Sequence, residues 1–207
     1  MNWERMGALS GALFALLTMA SFVVAGDATV NLDPTSTSAI VAKAFADGSD
    51  RVSRGGFILL LGLLSFFWFL GYLRRTLQAA EGEGGWLVSV AYGGGLVAIA
   101  VWLGGLAINM ATTSVSAETD TPVAKVLLTL QWDYIWLFAP PLIAFTLASS
   151  VIAIRFRALP RWVGWVGVLV ALALLMPWVG AVFAMAWVLV ASIVLLLKTT
   201  PLERFVR

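Results

Sequence analysis

The chain has 207 residues, 61% hydrophobic and 12% charged, with 13 Lys and Arg against 11 Asp and Glu. Ordinary globular chains carry roughly 45–50% apolar and about 25% charged residues, so this composition excludes a water-soluble fold and makes lipid the solvent. With no Cys and no His, disulfides, thiolate chemistry, Cys- or His-held metal or haem, and the commonest general base are also excluded; a net charge of +2 is too small to point to nucleic acid.

A helix crosses ~30 Å of hydrocarbon with about 20 apolar residues. The uncharged run after Arg5 predicts a first span at about 6–26. Its charged head and small residues near Ala25-Gly26 also fit a signal peptide, but it is expected to be a retained helix. After the turn residues of NLDPTSTS, Ile40, Val41, Ala44 and Phe45 share one helical face, flanked by Lys43 and Asp47, and Gly48 offers a stop. That pattern predicts a short amphipathic helix. The next span, about 55–73, contains Phe66-Phe67-Trp68-Phe69 and Tyr72, expected to face lipid or to pack in the core rather than to form a ligand cage.

The third span is predicted at about 86–111. It contains Gly93-Gly94-Gly95, read first as a packing crossing and second as a hinge. In TPVAKVLLTLQ, Thr121 can cap and Pro122 suits a first helical position, while Val123, Val126, Leu127 and Leu130 share one face. This predicts a second short amphipathic helix. If it continues into the fourth span, about 134–154, then Lys125, Thr129 and Asp133 form a stripe aimed into the bundle, and Pro140-Pro141 weakens the helix below them. The blander reading leaves Asp133 at the membrane edge among Trp132, Tyr134 and Trp136.

Of the 36 uncharged residues from Trp162 to Leu197, too many for one helix, two spans are expected, about 162–177 and 180–197. The turn between them is placed at Pro177-Trp178-Val179-Gly180. Small residues four apart, Gly7 and Gly11, Gly167 and Ala171, Gly180 and Ala184, predict close helix packing or oligomerisation. The predicted fold is thus one all-α membrane domain, a bundle of six transmembrane helices with two amphipathic helices on its outer face.

With six spans, one side holds Arg5, Arg74, Arg75, Arg155, Arg157, Arg161, Lys198, Arg204 and Arg207 against four acids, and the other holds four basic residues against seven acids. The excess of Lys and Arg places both termini in the cytoplasm. The outer connections then gather Asp27, Asp33, Asp47, Asp50, Arg51, Arg54, Lys125 and Asp133. Arg54 and Asp133 fall at one depth, where they pair, share a ligand or each face water. No charge lies well inside a span, which argues against ion-coupled transport. Asn109 and the serines and threonines of the spans are expected to be helix glue, with a pore lining as the alternative.

The segments FLGYLRRTLQAAEG (69–82) and ALPRWVGWVG (158–167) resemble a set of small bacterial membrane proteins grouped as a domain of unknown function. The resemblance runs from about Arg51 to Leu197. It implies a six-helix multipass fold in a bacterial inner membrane and no particular activity.

The leading expectation is a non-catalytic module in the lipid bilayer, oligomeric or bound to a membrane protein partner or apolar ligand, with no cofactor and no metal. A channel or small-solute transporter is the second reading, with an outer polar vestibule and gate at Asp133 and Pro140-Pro141; the candidate binding or gating residues are Arg51, Arg54, Asn109, Lys125, Asp133, Pro140 and Pro141. A lipid-acting enzyme that uses outer carboxylates is the third.

Overall fold

The computed structural model describes residues 3–26, 32, 35–117 and 121–199, and these contain helices and turns and no strand. The helices are α1 (Trp3–Ala25), α2 (Ser38–Glu81), α3 (Leu87–Ala117), α4 (Thr121–Tyr134), α5 (Ala139–Phe156), α6 (Arg161–Ala173) and α7 (Pro177–Thr199), with one 3₁₀ turn, Ile135–Phe138, joining α4 to α5. Among the described residues, five helical stretches are long and apolar enough to cross a membrane, so the protein is a multipass membrane helical bundle. Asp27, Asp33, Arg204, Arg207 and the side chain of Thr121 lie outside the described residues.

The first difference from the sequence expectation is α2. Instead of an amphipathic helix ending at Gly48 and a separate span, one helix of 44 residues runs through both, about 65 Å of it. Val41, Phe45, Gly48, Val52, Gly55, Gly62, Phe66, Phe69 and Leu73 are buried, with Leu59 partly so. Their alternating spacings of four and three keep one face inward throughout, as in a left-handed coiled coil. A helical glycine costs only about 1 kcal/mol relative to alanine, and Gly48 sits in this packed stripe. The glycines that do stop helices have positive φ, Gly26 at 60° after α1 and Gly82 at 91° after α2, a region that side chains disfavour. Gly82 N–H closes onto Gln78 O at 3.0 Å, and the Glu81 carboxylate accepts from the N–H groups of Leu87 and Val88 at 3.0 and 2.8 Å, capping α3.

α3 outlasts its apolar part by about two turns. Thr112, Thr113, Ser114 and Ser116 each donate to the carbonyl four residues back, at 2.8, 3.0, 3.1 and 2.8 Å, so their hydroxyls are satisfied within the helix. The α-helical ladder gives way to the 3₁₀ turn Ile135–Phe138 just ahead of Pro140 and Pro141, the weakening expected there, and the two prolines then sit in the first turn of α5, where residues have no intrahelical use for an N–H. For the same reason the α6–α7 turn falls at Leu174–Met176 and Pro177 opens α7, three residues before the predicted site. α6 has 13 residues, about 20 Å, short of the ~30 Å hydrocarbon layer.

The chain forms two compact units, one comprising residues 1–15, 64–98 and 139–207, the other residues 16–63 and 99–138. The core of unit one is a line of rings. Phe14 stacks on Phe66 at 4.3 Å, Phe66 meets Phe145 edge-on at 5.7 Å, and Phe145 meets Trp187 edge-on at 5.7 Å. Trp187 Nε1 donates to Val163 O at 3.0 Å, and Ser192 Oγ donates to Ala8 O. Of the predicted aromatic run, Phe66 and Phe69 are thus core while Phe67 and Trp68 are exposed. Small residues bring the helices together: a side chain at Gly11 would strike the Phe69 ring, and one at Gly94 the backbone of α5. The triple glycine is a packing crossing. α5 ends at Arg157, whose φ is 60°, and Lys198 Nζ holds the following turn through Ala158 O at 2.9 Å.

Candidate binding site

In unit two, the first turns of α2 and α4 pack on each other. Val41 and Phe45 of α2 meet Ala124 and Leu128 of α4, and Leu32 completes the cluster. Trp132 Nε1 donates to Leu32 O at 3.2 Å. The inward face of α4 is therefore Ala124 and Leu128, one turn apart, and not the Val123, Val126, Leu127 and Leu130 face predicted from apolar spacing. Val123, Val126 and Leu130 are 41%, 66% and 47% exposed. Ala124 and Leu128 are buried in this cluster while Val123, Val126 and Leu130 are not, which leaves α4 with a second apolar face uncovered by the described residues.

This uncovered face lies beyond the apolar part of α2. Asp47, Asp50, Arg51 and Arg54 follow Phe45 along α2, and Arg54 comes nine residues after it, about 13 Å of helix. The side chains of Val123 and Val126 are left uncovered by the described residues, at the level of the part of α2 that precedes its charged stretch.

The predicted polar residues are placed as follows. Arg51 and Arg54 are exposed; Arg54 lies 3.8 Å from Asp50, one turn back on α2, so the Arg54–Asp133 pair is not formed. Asp133 is exposed at the end of α4, and Lys125 is half-buried. Thr129 Oγ1 donates to Lys125 O at 3.0 Å; of the stripe Lys125, Thr129 and Asp133, the first two are half-buried and only Asp133 is exposed. Pro140 and Pro141 belong to unit one, where Pro141 O backs Gly94.

Asn109 is different. Its Oδ1 is buried and has no hydrogen-bond partner among the described residues, and the same holds for Gln131 Oε1 and Thr18 Oγ1 in this unit. Tyr134 packs against Gly104 and Gly105 of α3, and only three residues separate α3 from α4, so the two helices run antiparallel. One turn beyond Gly105 is Asn109, and one turn before Tyr134 is Gln131, so the register carries both amides to one level. Each buried oxygen left without a donor costs about 1–3 kcal/mol. Sequence reading passed over Gln131; a lone amide in LTLQWDYIWLF, two residues before the more conspicuous Asp133, was its only signal.

No three Asp or Glu side chains gather as a metal site among the described residues. No family model, curated protein or solved structure matches the chain, so the resemblance carried by segments 69–82 and 158–167 rests on those motifs alone.

Proposed function

We propose that the protein is a non-catalytic module of a bacterial inner membrane, with both termini cytoplasmic, that binds a second protein helix through the uncovered face of α4. The observation that carries this reading is the exposed row Val123, Val126 and Leu130, which lies past the charged stretch of α2. A helix with one apolar face buried and another bare presents the i, i+3, i+7 anchors that a partner helix reads. The partner is a second copy or a different membrane protein, and both use the same surface. The charge asymmetry of the loops supports the outer position of this face, and the described carboxylates Asp47, Asp50 and Asp133 all stand exposed rather than paired in a cleft.

The chain has no native cysteine, so a single cysteine at Val126 reports on this face alone. A bifunctional maleimide applied to native membranes is expected to give one discrete adduct. An adduct of twice the chain mass means a second copy, and any other single mass a different partner. Leu130→Asp in the same chain is expected to abolish the adduct. Only uncrosslinked chain, or a smear that Leu130→Asp leaves unchanged, rejects the reading.

The unpartnered oxygens of Asn109, Gln131 and Thr18 favour a second reading, a conduit for a small solute that donates hydrogen bonds. A conduit predicts solute flux in proteoliposomes that falls at least tenfold in Asn109→Leu, a loss of about 1.4 kcal/mol at the barrier. Vesicles that hold oriented protein and stay tight discard it.

A further inference from the structure

The end of α2 carries a separate feature in unit one. A recess of about 600 Å³ opens there, lined by Gly71, Arg74, Arg75, Gln78, Gly82 and Glu83. Its floor is bare, because a side chain begun at Gly71 or Gly82 would meet nothing within 4 Å. The Arg74 guanidinium lies over the Tyr92 ring, 4.9 Å from its centre, a contact that orients the charge without neutralising it. Among the described residues no carboxylate pairs with Arg74, while Arg75 Nη2 reaches only Glu4 Oε1, at 3.5 Å and mostly exposed. Gln78 closes the turn by donating to Gly82 O at 2.6 Å, and Glu81 is engaged by two backbone N–H groups of α3. Arg75 is shared with Glu4 and Glu83 stands in the wall, so Arg74 carries the unpaired positive charge of the recess among the described residues.

Depth and shape decide which anion it suits. The uncharged run of α2 extends over the 19 residues from Gly55 to Leu73, and Arg74 is the first charge after it. Both guanidinium groups therefore stand at the level of lipid phosphates, just outside the hydrocarbon. Below the recess, at spacings of three and four residues, Gly71, Trp68 and Leu64 form an exposed apolar row along the same side of α2. A headgroup in the recess would send its acyl chains down that row.

We propose that this recess binds the phosphodiester of an anionic phospholipid, gripped by Arg74 and Arg75, with an acyl chain lying on Trp68 and Leu64. Arginine presents a planar fork of donors that matches phosphate oxygens, and basic pockets at helix ends hold anionic headgroups in this way. A free phosphate offers the same oxygens but nothing for the apolar row.

The test is native mass spectrometry of the intact protein released from mixed micelles containing equal amounts of dioleoyl phosphatidylglycerol and dioleoyl phosphatidylcholine. Phosphatidylglycerol is expected to be retained about tenfold over phosphatidylcholine, and the preference is expected to fall to about onefold in R74Q/R75Q. Gly71→Leu fills the recess and keeps both arginines, and it is expected to abolish the preference too. It decides the matter if the double variant does not fold. Equal retention of the two lipids by the parent chain, or an unchanged preference in Gly71→Leu, overturns the proposal. Millimolar inorganic phosphate is expected to displace little phosphatidylglycerol; complete displacement would make this a free-phosphate site and reject the lipid.

Discussion

Trp187→Ala is expected to destabilise the folded protein by about 2–3 kcal/mol, read as a lower midpoint of unfolding when SDS is titrated into mixed micelles. Truncating a buried Trp in a water-soluble core costs about 3–5 kcal/mol, part of it lost transfer from water. In a bilayer the unfolded reference is itself in lipid, so that part shrinks and the lost packing remains. Trp187 is 1% exposed, ends the ring line through Phe145 at 5.7 Å, and donates to Val163 O at 3.0 Å. The glycine at 167 lies directly against its indole, so α6 has no side chain there to collapse into the void. Trp187→Phe keeps a ring against Phe145 and loses the donated hydrogen bond, with an expected cost of about 1 kcal/mol. Equal midpoints for parent and Trp187→Ala would mean that the ring line does not hold unit one together.

The neighbouring glycines of α3 should respond to alanine in opposite directions. A Cβ at Gly94 would lie 2.7 Å from Pro141 O and 2.8 Å from Phe145 N, both backbone atoms of α5, whereas a Cβ at Gly93 would meet nothing within 4 Å. Overpacking costs about 1–3 kcal/mol, and backbone inside a helix yields less than a side-chain tip. Replacing glycine by alanine in a helix returns up to about 1 kcal/mol. Gly94→Ala is therefore expected to lose about 1–2 kcal/mol and Gly93→Ala to gain up to about 1, measured by the same SDS titration. Matching shifts at the two positions would show that α3 and α5 do not cross at Gly94.

What could be read from the sequence followed from the strength of each local signal. Long uncharged runs set α1, α3 and α7 to within a few residues at most ends, because water or lipid around a helix is decided by many residues at once. Turns were less legible, because they depend on one or two. Gly48 and Gly82 look alike in sequence. Only the continuing row of Val52, Gly55 and Leu59 on one side, against the end of the apolar pattern on the other, separates a packed glycine from a stop. The weakening at Pro140-Pro141 was legible, since the helix turns 3₁₀ just before them, whereas the turn at Pro177 was placed three residues late because a missing N–H is harmless at a helix start.

The candidate site was less legible for a related reason. Apolar periodicity shows that α4 has an apolar face and cannot show which face its neighbour takes. Ala124 counts for little on a hydropathy scale, yet it is fully buried in the cluster that holds Phe45. The charged residues Arg51, Arg54, Lys125 and Asp133 drew attention because charge is conspicuous in such a chain, and the structure leaves Arg51, Arg54 and Asp133 at the surface and Lys125 only half-buried. The quieter amides, Asn109 and Gln131, have the unmet hydrogen-bonding demand, and only the register of α3 on α4 reveals that they are level.

The shortness of α6 has a consequence for the surrounding membrane. The turn at its end exposes Leu175 and Met176, followed by Trp178, and it satisfies its own donors through Leu175 N–H to Leu172 O at 3.1 Å and Met176 N–H to Ala173 O at 2.9 Å. It is a bend that can rest in oil. A helix about 20 Å long against a layer of ~30 Å leaves a mismatch that the lipids on that flank relieve by thinning, at a fraction of a kcal/mol per ångström. On that ground the protein is expected to be more stable in thin, short-chain bilayers than in thick, long-chain ones.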